Sequence, residues 1–406
     1  MIDTTSYSTI RGNSTEYFTL LGWLALMVLA GLGASWYMEH NGHWVTGMDN
    51  QVVWGTPHVF AVFLVVAASG ALNVASIASV FGKTEYKPLS RLSALLALAL
   101  LAGGLAVLVL DLGRPDRLIV AMTTYNFKSI FAWNIYLYTG FFAVVGVYLW
   151  LMMDRPLAKF SKGAGTFAFL WRLILTTGTG SIFGFLVARQ AYDAAIMAPM
   201  FVILSFAYGM AFFLLVLLAL YRWTGRPLGD FLVGRLRNLL RLFVAASFYF
   251  VLVYHLTNLY GTENHGVERF LLLDGGVITA LFWVGQVLVG YLAPMALLYH
   301  PATRESRANV VLASILVVLG GVAQMYVTIV GGQAYPLNLF PGYEASSSFF
   351  DGAITAYAPS VPEIALGLSG VAMALAIVTV ALKVLPFAAE DLSDARMDPN
   401  SAAKAE

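Results

Sequence analysis

The chain of 406 residues is 59% hydrophobic and only 11% charged, a balance that rules out a water-soluble globular protein with an ordinary charged surface. A formal net charge of +1 gives no case for binding nucleic acid or an acidic substrate. With no cysteine, the protein can build neither a disulfide, nor a thiolate zinc site, nor a cysteine-held iron–sulfur cluster, so any electrons it handles arrive on or leave by something it binds.

Uncharged stretches long enough to cross a bilayer predict about ten transmembrane helices, and long stretches of this kind favour an all-α polytopic membrane bundle over a barrel. A polar N-terminal segment, 1–16, has no basic region leading into a cleavage site, so the first helix, 17–38, is expected to be retained. The next four helices are expected at 55–81, 89–112, 129–153 and 166–188. The second five fall at 194–221, 238–260, 273–299, 308–332 and 362–385. The bundle thus spans 17–385, and the polar, acidic tail at 386–406 is expected to be a frayed end.

An even number of spans puts both termini on one side. Of the 23 basic residues, all but Arg114, Arg117, Lys128, Arg189 and Arg269 then fall on that side, so both termini are expected in the cytoplasm. The outer side owns the longer connections, 39–54, 113–128 and 334–361. The last is too rich in Pro, Gly, Ser and aromatics to be a disordered linker, and is expected to pack on its own protein or beneath a partner. Trp36, Tyr37, Trp44, Trp54, Tyr260, Tyr335 and Tyr357 fit an interfacial aromatic belt.

Ionisable and polar groups at helix ends gather at this outer level. They are His58 beside Trp54 and Pro57, Asp111, Lys128 with Trp133 and Asn134, Arg189 with Gln190 and Asp193, His255 with Asn258, and Asp274. Each has a bland reading. Asp111 and Arg114 are spaced as a local ion pair ahead of the helix-stopping Pro115, and Arg189 and Asp193 can pair across a turn. His58 and His255 can be hydrogen-bonded scaffolding, and Thr176, Thr177, Thr179 and Ser181 among Gly178, Gly180 and Gly184 read most simply as a close-packing face. The inner half shows little beyond basic residues snorkelling at its rim. Convergence of five helix ends on one level is what a lipid-accessible pocket for a polar headgroup needs.

The run Asp111-Leu112-Gly113-Arg114-Pro115-Asp116-Arg117-Leu118 resembles the NrfD/PsrC-type membrane anchors of polysulfide and nitrite reductase complexes. Trp54-Gly55 opening a helix with the small run Ala67-Ala68-Ser69-Gly70-Ala71 resembles the family's first core helix, and Lys128-Ser129-Ile130-Phe131-Ala132-Trp133-Asn134 its post-motif helix start. Tyr335-Pro336-Leu337-Asn338-Leu339-Phe340-Pro341-Gly342-Tyr343-Glu344 and Tyr357-Ala358-Pro359-Ser360-Val361-Pro362-Glu363 resemble the ten-helix branch. Within that branch the resemblance leans toward the membrane protein of the sulfite-reductase-associated Dsr electron-transfer complex.

The resemblance implies a haem-free, cluster-free subunit in a bacterial or archaeal cytoplasmic membrane. Such a subunit binds menaquinone or ubiquinone near the outer face and exchanges electrons with an extracytoplasmic ferredoxin-like iron–sulfur subunit, alongside further cytochrome or membrane subunits in a respiratory, sulfur-metabolising complex. It places His58 at a quinone-contacting position and the Thr176–Gly184 stretch, with Thr179 and Ser181, in the pocket wall. Quinol oxidation releases two protons, for which His58 is the natural first acceptor and Asp111 the second. Arg114, Trp133, Asn134, Arg189 and His255 complete the expected quinone-binding set. Competing readings are a proton or solute transporter using Asp111, Asp274, Gln286, Gln324 and His255, a haem anchor ligated by His58 and His255, and a pure scaffold.

Overall fold

In hydrocarbon every backbone polar group must be satisfied within the segment, and the apolar runs meet this as helices. The computed structural model describes residues 5–337 and 352–401, so the 338–344 part of the motif lies outside the described residues. The first half contains α1 (Thr15–Asn41), α2 (Thr56–Ala71), α3 (Asn73–Ser79), α4 (Ser90–Leu110), α5 (Leu118–Thr123), α6 (Ile130–Met153) and α7 (Ser161–Gly184). The second contains α8 (Met197–Thr224), α9 (Asp230–Tyr260), α10 (His265–Arg269), α11 (Val277–Ala280), α12 (Ala293–Tyr299), α13 (Arg307–Tyr326), α14 (Gly332–Ala334), α15 (Val361–Val384) and α16 (Asp394–Met397). Three π-helical segments, Phe270–Asp274, Leu281–Leu292 and Val327–Gly331, lie in this half.

The second predicted span is broken at Leu72. The break frees the Ala71 carbonyl and the Ala75 amide, and Ser93 of α4 serves both, its hydroxyl donating to Ala71 O at 2.7 Å and accepting from Ala75 N at 3.1 Å. α2 is the centre of the bundle, buried nearly all round against α4, α8, α13 and α15, whereas α1 packs mainly on α15 and faces outward. Backbones touch where α2 meets α8, since a Cβ on Gly209 would stand 2.1 Å from the Gly70 carbonyl carbon. Only glycine permits that approach.

Nine helices among the described residues are long and apolar enough to span a membrane. The fifth predicted span is not among them. It forms α7, a helix of 24 residues packed between α6 and α8, but its threonines, glycines and Arg172 lower its apolarity. The expected rim position of Arg172 is corrected as well. It is 1% exposed, donates to Ser69 O at 3.3 Å and lies over the Phe169 and Phe206 rings. No carboxylate pairs with it among the described residues.

The described part of the tail expected to fray, 386–401, is folded. β1 (Tyr7–Ser8) pairs antiparallel with β2 (Ala388–Ala389), Tyr221 donates its hydroxyl to Ala389 O at 2.7 Å, and Phe387, Leu392 and Met397 are buried. Apolar residues scattered among acidic ones supply enough burial to dock the segment, and a net-polar composition hides them. The pairing sets the two terminal segments at the same end of the bundle.

Candidate functional site

α2 begins at Thr56 with Pro57 in its first turn, where a missing N–H costs nothing. His58 therefore sits at the outer mouth of the central helix. α4 ends at Leu110 with Asp111 as its cap, and Nδ1 of His58 lies 2.9 Å from Oδ2 of Asp111, the two side chains being 17% and 0% exposed. The contact is an ion-pair distance without an aligned hydrogen bond, and neither Asp111 oxygen has a hydrogen-bond donor among the described residues. A sealed carboxylate thus stands behind an imidazole that keeps a face open.

This replaces the local pair expected between Asp111 and Arg114. Gly113, at φ 69°, reverses the chain into the left-handed region that glycine tolerates, and turns Arg114 outward. There Arg114 pairs with Asp116 at 3.0 Å with both side chains exposed, and its guanidinium holds the Asp116 carboxyl below the ordinary range. Arg114 is consequently no partner of the His58–Asp111 pair.

Around His58, the Trp54 ring lies 6.3 Å from the imidazole and meets Phe131 of α6 at 5.9 Å and Phe183 of α7 at 6.0 Å between centroids. One helical turn inward of those two rings, Asn134 donates to Gly178 O at 3.0 Å and Thr179 bridges Asn134 and the Tyr138 hydroxyl at 3.4 and 3.3 Å. Asn134, Thr179 and Ser181 are all buried. Gly178 and Gly180 press against Leu137 and the Met197 carbonyl, so the run is a packing face as well as a wall behind Trp54. Trp133 faces outward, more than half exposed, with its N–H on Phe127 O at 2.6 Å.

Two clamps hold the segment leading into His58. Gln333 Oε1 accepts from Val53 N and Trp54 N at 3.1 and 3.0 Å, and its Nε2 donates to Trp54 O. Arg189 binds the Gln333 and Gln51 carbonyls at 2.9 and 2.7 Å, with no ion pair to Asp193 among the described residues, and burial lowers its pKa from the ordinary value. In the second clamp, Glu363 is fully buried and accepts from Gly47 N at 2.8 Å, Ser360 N at 2.7 Å and the Tyr357 hydroxyl. Tyr357 in turn accepts from Thr56 N at 2.7 Å, and burial, reinforced by Glu363, pushes its phenol up.

His255 belongs to a different cluster. Its Nδ1 lies 2.8 Å from Oε2 of Glu268, which is 0% exposed, and Asn258 donates to the other oxygen at 2.8 Å. Sequence reasoning missed Gln51, Gln333 and Glu268 and gave Tyr357 and Glu363 no role at the site. Uncharged glutamines in connections carry no signal, while Glu268, an acid one residue from the apolar run 270–273, carried one that could have been used.

A family model described as polysulphide reductase, NrfD, matches residues 44–336. The chain is 29% identical to the Hdr-like menaquinol oxidoreductase integral membrane subunit of Archaeoglobus fulgidus, over 88% of this chain and 90% of that one. It is 28% identical to a putative dimethyl sulfoxide reductase membrane subunit of Halobacterium salinarum, over 90% of each. With a polysulfide reductase chain of Wolinella succinogenes it shares 25% identity, over 70% of this chain and 96% of the other.

Proposed function

The chain belongs to the polysulphide reductase NrfD family, and from that premise we propose that it is the quinone-interacting membrane subunit of a respiratory oxidoreductase complex, with its quinone site at His58. The observation that carries this is the His58–Asp111 pair, an imidazole 17% exposed in front of a carboxylate that is 0% exposed. Relatives named for menaquinol and polysulfide chemistry support the substrate class.

A quinone headgroup carries two oxygens that gain or lose protons with its electrons. The residues here fit that need. With Nδ1 turned to Asp111, His58 has Nε2 left for a ligand oxygen. A proton taken there makes an imidazolium that the adjacent carboxylate stabilises. Trp54, Phe131 and Phe183 supply an apolar, aromatic wall for a ring, and Asn134 and Thr179 fix that wall from behind. Electrons leave or arrive through a partner, since this chain has no cysteine for a cluster. We place that partner, an extracytoplasmic iron–sulfur subunit, over the outer connections, and both termini of this chain in the cytoplasm.

The test is the assembled complex carrying His58→Ala. Quinol-driven turnover is expected to fall about 10²–10⁴-fold, the usual worth of a proton-transfer group. Reduction of the partner by a soluble dye, which bypasses this chain, should be unchanged. Normal quinol turnover in the variant refutes the assignment.

A further inference from the structure

The second half of the bundle contains a polar cluster that the quinone reading does not use. His255, five residues from the outer end of α9, and Glu268 of α10 form a buried pair with Asn258 holding the free carboxylate oxygen. Beside it lies a small, partly open cavity of about 20 Å³ lined by Tyr254, His255, Leu271, Gln286, Gln324 and Thr328 among others. Gln286 is 3% exposed and its Oε1 has no hydrogen-bond partner among the described residues. Across the cavity, Gln324 Oε1 accepts the hydroxyls of Tyr208, at 2.9 Å, and Tyr291. Gln324 is ten residues before the end of α14, about 15 Å inward along a helical rise.

All three π-helical segments meet here. Phe270–Asp274 contributes Leu271, Leu281–Leu292 contributes Gln286, and Val327–Gly331 contributes Thr328 to the lining. A π turn adds a residue to the helical repeat, loosens local packing and is enriched at functional sites. Three of them bordering one void make a polar cavity where straight helices would close. Its size suits one water, which needs two to four polar partners, and Gln286, Gln324 and His255 provide them.

We propose that this cluster is a proton-exchange site, in which one internal water links the His255–Glu268 pair to the Gln324–Tyr291–Tyr208 network in the middle of the membrane. Nδ1 of His255 is committed to Glu268, so Nε2 is the nitrogen that exchanges. A proton from bulk solvent reaches the water as the water gives one of its own to Nε2, so the singly negative pair becomes neutral and the water is left neutral. The surroundings do not compete. Arg269 is paired with Asp274 at the surface at 2.6 Å, Arg189 is held by backbone carbonyls, Asp193 lies on the Arg189 loop, and Tyr254 donates to Ala191 O. No charged side chain occurs from Val277 to Leu292 or from Ala308 to Tyr326.

Infrared difference spectroscopy of the full-length protein in its complex tests this, with Gln286→Leu and His255→Gln as variants. Wild type should show an internal-water O–H band that shifts on exchange into ¹⁸O water, and Gln286→Leu, which fills the cavity, should lose it. A pH titration should show an imidazole signal that disappears in His255→Gln and moves in Gln286→Leu. Absence of the water band in wild type, or an unaltered titration in Gln286→Leu, overturns the proposal. If His255→Gln fails to assemble, Gln286→Leu decides alone, since an apolar replacement at a buried amide whose oxygen has no partner among the described residues costs the fold little. None of these signals is quinol turnover, so failure here is distinct from failure of the His58 assignment.

Discussion

The Glu363–Tyr357 clamp tests how the His58 mouth is held in place. Glu363→Ala removes an acceptor that takes three donors, the amides of Gly47 and Ser360 and the Tyr357 hydroxyl. Bonds to a charged acceptor contribute about 1.5–3 kcal/mol each and share one network, so the loss is about 3–5 kcal/mol rather than their sum. Tyr357→Phe leaves the carboxylate its two amides and strands chiefly Thr56 N–H, a loss of about 1–3 kcal/mol. Its functional effect should be disproportionate. Thr56 is two residues from His58, and a misplacement of about 1 Å at a reacting group can cost about 10²-fold in rate. Thermal melting of the solubilised complex and steady-state quinol turnover measure the two effects. The reasoning fails if Tyr357→Phe melts and turns over like wild type, or if Glu363→Ala is no worse than Tyr357→Phe in melting.

Two further predictions concern the bundle itself. Gly209→Ala drives a Cβ into the backbone of α2 at Gly70, where neither helix can yield, and should cost more than about 4 kcal/mol; Gly163→Ala, with nothing within 4 Å, should be neutral or stabilising by up to about 1 kcal/mol. Comparable melting temperatures for these two variants would contradict the close-packed interface. Arg172→Met should fold as well as wild type or better, because it replaces a buried charge lacking a carboxylate partner by an apolar side chain of similar length. A marked fall in melting temperature would show that the ring faces and the Ser69 carbonyl stabilise the guanidinium more than its burial costs.

What the residues disclosed in advance follows from which interactions are local. Long apolar runs report on spans directly, and the span ends were read to within a few residues for the helices that became α1, α6 and α15. α9 began eight residues early, at Asp230, because its inner turns carry Arg235 and Arg237 and so read as a loop. α7, read as a span at 166–188, runs over Ser161–Gly184, and protein rather than lipid surrounds its Thr/Gly face, so that face need not be apolar. The π segments leave no periodicity to detect. At the site, His58 and Asp111 were both named from the sequence, but their pairing was not. His58 and Asp111 lie 53 residues apart, whereas Asp111 and Arg114 are neighbours; proximity in sequence favoured the wrong partner, and only the reversal at Gly113 separates them.

The two imidazole–carboxylate pairs differ in a way that predicts opposite behaviour on neutralising the acid. Glu268 has both oxygens aligned with donors, Asn258 and His255, each at 2.8 Å. Asp111 is as deeply buried but has neither. A buried acceptor left unaligned costs about 1–3 kcal/mol, and a satisfied one returns that amount. Asp111→Asn should therefore leave melting unchanged or raised while lowering quinol turnover, the pattern of a site that trades stability for chemistry. Glu268→Gln should lower melting by the equivalent of about 1–3 kcal/mol, because its amide nitrogen must now face a donor. The order is set by hydrogen-bond alignment alone, since both carboxylates are 0% exposed and both stand within 3 Å of an imidazole nitrogen. If Asp111→Asn destabilises the protein more than Glu268→Gln, the unaligned geometry at Asp111 is not what distinguishes the quinone mouth, and the argument that its carboxylate is poised to accept a changing charge on His58 falls with it.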